Sequence, residues 1–260
     1  MAYPQMFDLT GRVAVVTGAA SGLGIVFCEA MAEAGADVVC SDIDKSGLAE
    51  VAERVKKLDR KSLMVECDVS KEKDVIAMAA RAEKEFGRLD ILFNNAGIAD
   101  AEPAPLHEYK TENWLKVMEV DLHGVFFCAR EALKIMMRQK SGKVINIASM
   151  GGMTGSSSVF PIPAYTAAKG AVVNLTRELA LEYAPHNIQV NAICPGFYRT
   201  RLAGGAYDDP EFVAAITAFT PMNRIAEADE MKGTAVYLAA PASDYVTGLM
   251  LVADGGCMAK

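Results

Sequence analysis

The stretch Arg12-Val13-Ala14-Val15-Val16-Thr17-Gly18-Ala19-Ala20-Ser21-Gly22-Leu23-Gly24 decides the fold of this chain. Its first half, Arg12–Thr17, is a short β-branched run, the pattern of a strand buried on both faces. Its second half is a glycine-rich turn that opens an apolar helical pattern, Gly22–Ala34, closed by Gly35. Glycines placed there let the backbone turn tightly and approach a pyrophosphate, whose charge sits at the helix N-terminus. The spacing is G-x-x-x-G-x-G rather than the commoner G-x-G-x-x-G. The cofactor contacts expected from this turn are Gly18, Ser21, Gly22, Leu23 and Gly24.

The same alternation continues outward. Strands are predicted at Asp37–Ser41, Ser62–Cys67, Leu89–Phe93, Lys143–Ala148, Ile188–Ile193 and Leu249–Ala253. Helices are predicted at about Ser46–Leu58, Lys71–Phe86, Thr111–Gln139 (perturbed near Gly124), Ala164–Tyr183, Pro210–Phe219 and Glu227–Ala239. Near-continuous apolar strands joined by crossover helices imply an α/β fold, a doubly wound parallel sheet of seven strands, Rossmann-like, covered on both faces. No linker, internal repeat or low-complexity tract interrupts it, so residues 1–260 read as a single domain, with substrate loops expected at about 150–163 and 197–220.

Composition narrows the function. The chain has 260 residues, 26 Lys+Arg against 33 Asp+Glu, a net charge of −7, and no basic block. That balance argues against nucleic acid or an anionic membrane as a partner. There is no run of the ~20 apolar residues a membrane span needs, and no secretion signal at the start. The six cysteines form no C-x-x-C pair and the three histidines do not cluster with acids, so no metal or disulfide framework is expected. The expected location is cytoplasmic.

The second strand is followed by Asp42, 42 − 18 = 24 residues past the first glycine. A carboxylate there accepts hydrogen bonds from the adenosine ribose and repels a 2′-phosphate, which favours NAD over NADP. Asp44 is a rival for that place. Further along, Tyr165-Thr166-Ala167-Ala168-Lys169 opens a helix, and positions i and i+4 bring phenol and ammonium to one face. The ammonium is expected to move the phenol pKa down, making a group able to exchange a proton with an alcohol or ketone.

With these residues in place, the chain resembles the short-chain dehydrogenase/reductase family from Leu9 to Gly256. The resemblance rests on Thr17–Gly24, on Asp68-Val69 after the third strand, and on Asn94-Asn95-Ala96-Gly97 after the fourth. It continues with Ser149 closing the fifth strand, the pair Tyr165 and Lys169, and Pro195-Gly196 through Thr200 after the sixth. It implies that Asp42 holds the adenosine ribose, that Asp68 and Val69 contact the adenine, and that Asn95 and Gly97 line the cofactor. Ser149 would orient the substrate oxygen and Tyr165 would be the acid/base. Lys169 would bind the nicotinamide ribose and lower the Tyr165 pKa. Pro195, Gly196, Phe197 and Thr200 would flank the carboxamide. A homotetramer is the expected assembly. Phe126, Phe127, Ile135, Met136 and Val172 on the helices Thr111–Gln139 and Ala164–Tyr183 are more apolar surface than one sheet face covers.

Two departures stand out. Ser149 and Tyr165 lie 165 − 149 = 16 residues apart, a longer loop than the family commonly shows, in which one of the serines 156–158 could approach the site. The second is Val120-Asp121-Leu122-His123-Gly124, which places Asp121 where the family has an asparagine that holds a water in the proton relay. Asp121 is expected to reach Lys169 through one water and to make Tyr165 harder to ionise. The substrate contacts expected are Ser149, Met150, Phe160, Tyr165 and Tyr207. Arg199 and Arg201 beside Thr200 could receive a carboxylate. Two function classes follow: an NAD-dependent oxidoreductase interconverting a secondary alcohol and a ketone, or a catalytically weak NAD-binding paralogue acting as a partner or sensor subunit. The downstream pattern leans towards relatives that act on sugar acids and polyols.

Overall fold

The computed structural model describes residues 2–156 and 160–260. Seven strands form one sheet: β1 (Val13–Thr17), β2 (Asp37–Asp42), β3 (Ser62–Glu66), β4 (Ile91–Asn94), β5 (Gly142–Ile147), β6 (Ile188–Pro195) and β7 (Met250–Ala253). All pairings are parallel, in the order β3-β2-β1-β4-β5-β6-β7. The chain winds outward in both directions from β1 and β4, so the crevice for a ligand opens beyond their carboxyl ends. β1 is buried along its whole length, as its uninterrupted apolar sequence requires.

The helices divide between the faces. On one side lie α1 (Gly22–Glu33), α2 (Lys45–Lys56) and α8 (Lys232–Ala239), with Phe27 stacked on Phe93 at 4.8 Å in the core. On the other lie α3 (Glu72–Phe86), α5 (Gly124–Gln139) and the long α6 (Pro163–Tyr183). Two more helices among the described residues are α4 (Thr111–Met118) and α7 (Pro210–Phe219). Among the described residues no helix is long and apolar enough to cross a membrane.

Three of the differences from the expected elements have a visible reason. β4 begins at Ile91 rather than Leu89, because the Gln139 side chain closes both Leu89 backbone groups at 2.9 and 2.8 Å. The helix expected at Glu227–Ala239 starts as a tight turn, Ala228–Met231, in which the Glu230 carboxylate accepts from the Glu227 N–H at 2.9 Å. The helix expected over Thr111–Gln139 is broken just before Gly124 by a π turn, Glu119–His123, which carries Asp121 into the interior. Such turns insert one residue into a helix and re-aim a side chain, often at functional sites.

Part of the apolar surface expected to pair between subunits is instead core. Ile135, Met136 and Val172 are buried within the chain, because α5 packs on both the sheet and α3 and α6 lies along β6. Phe126 remains 45% exposed, with Phe127 half-buried beside it.

Candidate active site

The glycine turn follows β1 directly and is tied down from the neighbouring strand. Thr17 Oγ1 accepts the N–H groups of Asn95 and Ala96, each at 3.1 Å. Asn95 Nδ2 in turn donates to the carbonyls of Thr17 and Gly18 at 2.9 and 3.1 Å. Asn95 thus holds the turn through its amide nitrogen. At Gly24 a Cβ would lie 1.9 Å from the Gly18 carbonyl oxygen, so only glycine lets the turn fold back this closely. The N-cap of α1, Ser21, is exposed and makes no side-chain capping bond; Gly24 N–H donates to its carbonyl at 3.0 Å, and the N–H groups of Gly22 and Leu23 ahead of it suit an anion. Leu23 is half-buried beside it, and Thr200 lies against Gly22 from the segment after β6.

Asp42 ends β2 at the edge of this cradle. Its Oδ2 accepts from the Ala20 N–H at 2.9 Å and its Oδ1 from the Asp44 N–H at 3.0 Å, so the carboxylate is aimed by the turn it serves. Asp44 is used differently: it is the N-cap of α2, accepting from Ser46 N at 3.0 Å. Lys45, the first base after Asp42, pairs with Glu66 at 2.7 Å. Asp68 is likewise shaped by local bonds from Ser70, at 3.1 Å from its N–H and 2.6 Å from its hydroxyl, with Val69 buried next to it. Pro195 ends β6, and Gly196 is packed so tightly on Asp254 that a Cβ would meet its Cα at 2.6 Å. The Phe197 carbonyl accepts from Ala226 N at 3.0 Å, which fixes the segment carrying Thr200.

At the carboxyl ends of β4 and β5 the catalytic candidates come together. Lys169 and Asp121 are both buried, and Lys169 Nζ stands 3.1 Å from Asp121 Oδ2. The contact is a direct ion pair, not one relayed through a water as expected, because the π turn brings the carboxylate onto the lysine. Lys169 also donates to the Ile147 carbonyl at 3.0 Å, and Asp121 Oδ1 accepts from Ile98 N at 2.8 Å. Gly97 makes room for the pair: a Cβ there would be 2.8 Å from Asp121 Oδ2 and 3.3 Å from Lys169 Nζ. The Lys169 ammonium lies 5.5 Å from the centre of the Tyr165 ring. Ser149 closes β5, and its Oγ accepts from Gly151 N at 3.0 Å at the start of the turn Met150–Gly152.

Electrostatics depart from the simple expectation for Tyr165. Burial, the largest influence, pushes its pKa up; Lys169 and a hydrogen bond with Ser149 pull it down, but Asp121 and Asp100 push it up again. The phenol therefore stands above its ordinary value in the chain alone, where a lone neighbouring ammonium was expected to depress it. The expectation that Asp121 opposes ionisation of Tyr165 agrees with this balance. Burial also raises the Asp121 carboxyl against the pull of Lys169. Burial works against the Lys169 ammonium too, yet Asp121 and Tyr165 together hold it above the ordinary lysine value.

The substrate candidates fall into two groups. Met150 is half-buried next to Ser149. Phe160 and Tyr207 both pack near Phe212, at ring distances of 5.9 and 6.0 Å. Tyr207 OH donates to the Tyr198 carbonyl at 2.8 Å, so its hydroxyl is already engaged by the backbone. Arg199 is exposed, 5.7 Å from the Tyr207 ring and 3.4 Å from Glu227. Ser157, Ser158 and the Arg201 side chain lie outside the described residues. An open groove of about 510 Å³ runs between α1 and the 199–208 segment past Gly22, Thr200 and Tyr207. Ser149 and Tyr165 are not among the residues that line it.

Sequence reasoning missed two contributors. Asn94, Asn146 and Thr176 form a buried chain, Asn94 Nδ2 to Asn146 Oδ1 at 2.8 Å and Asn146 Nδ2 to Thr176 Oγ1 at 2.9 Å, which locks β4, β5 and α6 together. The signal was an amide inside each of two otherwise apolar strands. Asp100 is the other; its Oδ2 accepts from the Tyr165 backbone N–H at 3.3 Å, and no spacing in the sequence pointed to that contact.

Comparison with known proteins places this arrangement. The family model described as enoyl-(acyl carrier protein) reductase matches residues 18–258. A cis-4-hydroxycyclohexanecarboxylate dehydrogenase of Sinomonas cyclohexanicum is 41% identical over 245 residues, 94% of this chain and 96% of that one. Among solved structures, a short-chain type dehydrogenase/reductase from Mycobacterium marinum superposes with a TM-score of 0.94 at 34% identity, covering 98% of this chain and 99% of the other. A gluconate 5-dehydrogenase from Burkholderia cenocepacia in complex with NADP and tartrate does so with a TM-score of 0.93 at 34% identity, covering 100% of both chains.

Proposed function

The chain belongs to the short-chain dehydrogenase/reductase family, and from that premise we propose that it is an NAD-linked dehydrogenase that oxidises a secondary hydroxyl of a small hydroxy acid, or reduces the matching ketone. The observation that carries the reading is Tyr165, held over the buried Lys169–Asp121 pair beside Ser149, at the crevice that the glycine turn opens. A nicotinamide dinucleotide fits that crevice: the uncapped α1 N-terminus suits a pyrophosphate, and the collapsed turn at Gly24 leaves no side chain in its way.

When bound, the cofactor supplies the hydride acceptor or donor. Tyr165 takes the hydroxyl proton in oxidation and returns it in reduction, at its phenol oxygen. Lys169 holds positive charge beside that oxygen and would bond the nicotinamide ribose. Ser149 orients the substrate oxygen. Asp42 would receive the adenosine ribose hydroxyls, with Asp68 and Val69 near the adenine and Gly97 behind the Lys169–Asp121 pair. Thr200, with Pro195, Gly196 and Phe197, would hold the carboxamide end. Met150, Phe160 and Tyr207 would wall the substrate.

NAD is preferred in this reading because the Asp42 carboxylate, at the end of β2, would repel a 2′-phosphate, and Lys45 is already paired with Glu66. The gluconate 5-dehydrogenase neighbour holds NADP, so the cofactor is the point to test first. The hydroxy-acid substrate class follows the names of that neighbour and of the Sinomonas relative. A homotetramer through α5 and α6, with Phe126 at its contact, and a cytoplasmic location, which suits six free and buried cysteines, complete the proposal. Purified protein is to be given NAD⁺ or NADP⁺ with a panel of hydroxy acids, polyols and cyclic alcohols while absorbance at ~340 nm is followed. Turnover with NAD⁺ and a hydroxy acid supports the reading. Tight NAD⁺ binding without turnover of any alcohol overturns it.

A further inference from the structure

The six residues that follow β4 touch three parts of the site. Asn95 bonds the glycine turn, Ile98 N–H donates to Asp121, and Asp100 reaches the first turn of α6. The last contact is the unusual one. α6 starts with Pro163 and has Ile162 as its N-cap, which offers no side-chain oxygen to the free N–H groups of the first turn. Asp100, far away in sequence and only 5% exposed, supplies that oxygen, and the N–H it accepts is that of Tyr165 itself. Its other oxygen, Oδ1, is buried without a hydrogen-bond partner among the described residues. A carboxyl buried half-satisfied is costly for stability alone.

We propose that Asp100 is a positioning residue of this site, which locks the first turn of α6 to the loop after β4 and places a second negative charge beside Tyr165. The inference rests on the reading of Tyr165 as the acid/base. The charges that face the phenol are then Lys169 from its own helix, Asp121 from the π turn and Asp100 from the β4 loop, with the Ser149 hydroxyl from β5. The α4 residues that share the apolar cluster beneath Tyr165, Trp114, Val117 and Met118, are uncharged, and Glu112 and Lys116 of that helix are exposed. Residues 150–163 carry no charge. Burial raises the Asp100 carboxyl, the Tyr165 N–H draws it down, and Asp121 raises it further, so the two acids repel each other.

The test compares Asp100→Asn, Asp100→Ala and Tyr165→Phe with wild type in alcohol oxidation, as kcat and kcat/KM against pH, with NAD⁺ affinity measured separately. Asparagine keeps an oxygen for the Tyr165 N–H but removes the charge. It should hold the plateau kcat within about twofold and move the acidic limb to lower pH, because oxidation needs the ionised phenol and a nearby negative charge opposes it. Alanine should lower the plateau kcat about tenfold or more through misplacement of Tyr165, with NAD⁺ affinity unchanged. An unmoved acidic limb in Asp100→Asn overturns the proposal, and so does a wild-type plateau in Asp100→Ala. If Asp100→Ala does not fold, the limb of Asp100→Asn decides alone. Turnover by Tyr165→Phe would instead overturn the acid/base reading, whatever the Asp100 variants do.

Discussion

Replacing Asp121 by asparagine removes one charge from a buried pair and almost nothing else. The amide oxygen can still accept from Ile98 N–H, which now bonds Oδ1 at 2.8 Å, and the side-chain volume is unchanged. Lys169 loses a carboxylate at 3.1 Å but keeps the Ile147 carbonyl at 3.0 Å. With an effective dielectric of about 20, unit charges at that separation attract by about 5 kcal/mol before desolvation. Breaking a buried pair from one side typically costs ~3–5 kcal/mol, and the retained carbonyl places this case near ~3. For a chain of this size that is a fall in melting temperature of roughly 6–12 °C, read by calorimetry at equal protein concentration and fixed pH. The pH profile gives a second and independent reading. Asp121 pushes the Tyr165 pKa up, so its neutralisation should move the acidic limb of kcat/KM for oxidation to lower pH. A melting temperature within about 2 °C of wild type would mean that no ionised pair exists to break. A limb displaced to higher pH would mean that the electrostatic reasoning has the wrong sign.

Tyr165→Phe should abolish turnover while NAD⁺ binding, followed by fluorescence titration, stays near wild type; Lys169→Ala should damage both. Asp42→Ala should narrow the preference for NAD⁺ over NADP⁺, as a ratio of kcat/KM values, by about 1–3 kcal/mol, the scale of hydrogen bonds to a charged group. Gly24→Ala drives a methyl onto the Gly18 carbonyl at 1.9 Å and should abolish cofactor binding even where circular dichroism shows a folded chain. Light scattering at micromolar concentration should give a tetramer mass, and Phe126→Glu should reduce it; a monomer mass for the wild type would rule the assembly out.

The amino-acid sequence by itself determined the frame. Local rules suffice for it: apolar runs of strand length, glycine stops such as Gly87, and a glycine turn placed directly after β1 specify a parallel sheet and the end at which a ligand binds. The i, i+4 spacing of Tyr165 and Lys169 belongs to the same class, since one helical turn separates them whatever surrounds them. Contacts between elements far apart in the chain emerge only on folding. The π turn at Glu119–His123 brings Asp121 to Ile98, 23 residues away, whose N–H donates to its Oδ1, and to the direct pair with Lys169. Asp100 meets Tyr165 across 65 residues, and nothing in the local pattern of either marks the other. The ionisation of Tyr165 is of this kind as well. A lysine one turn away predicts a lowered pKa, but burial and two carboxylates from other elements reverse it. Desolvation and through-space charge depend on distance in the folded chain, and sequence spacing carries neither.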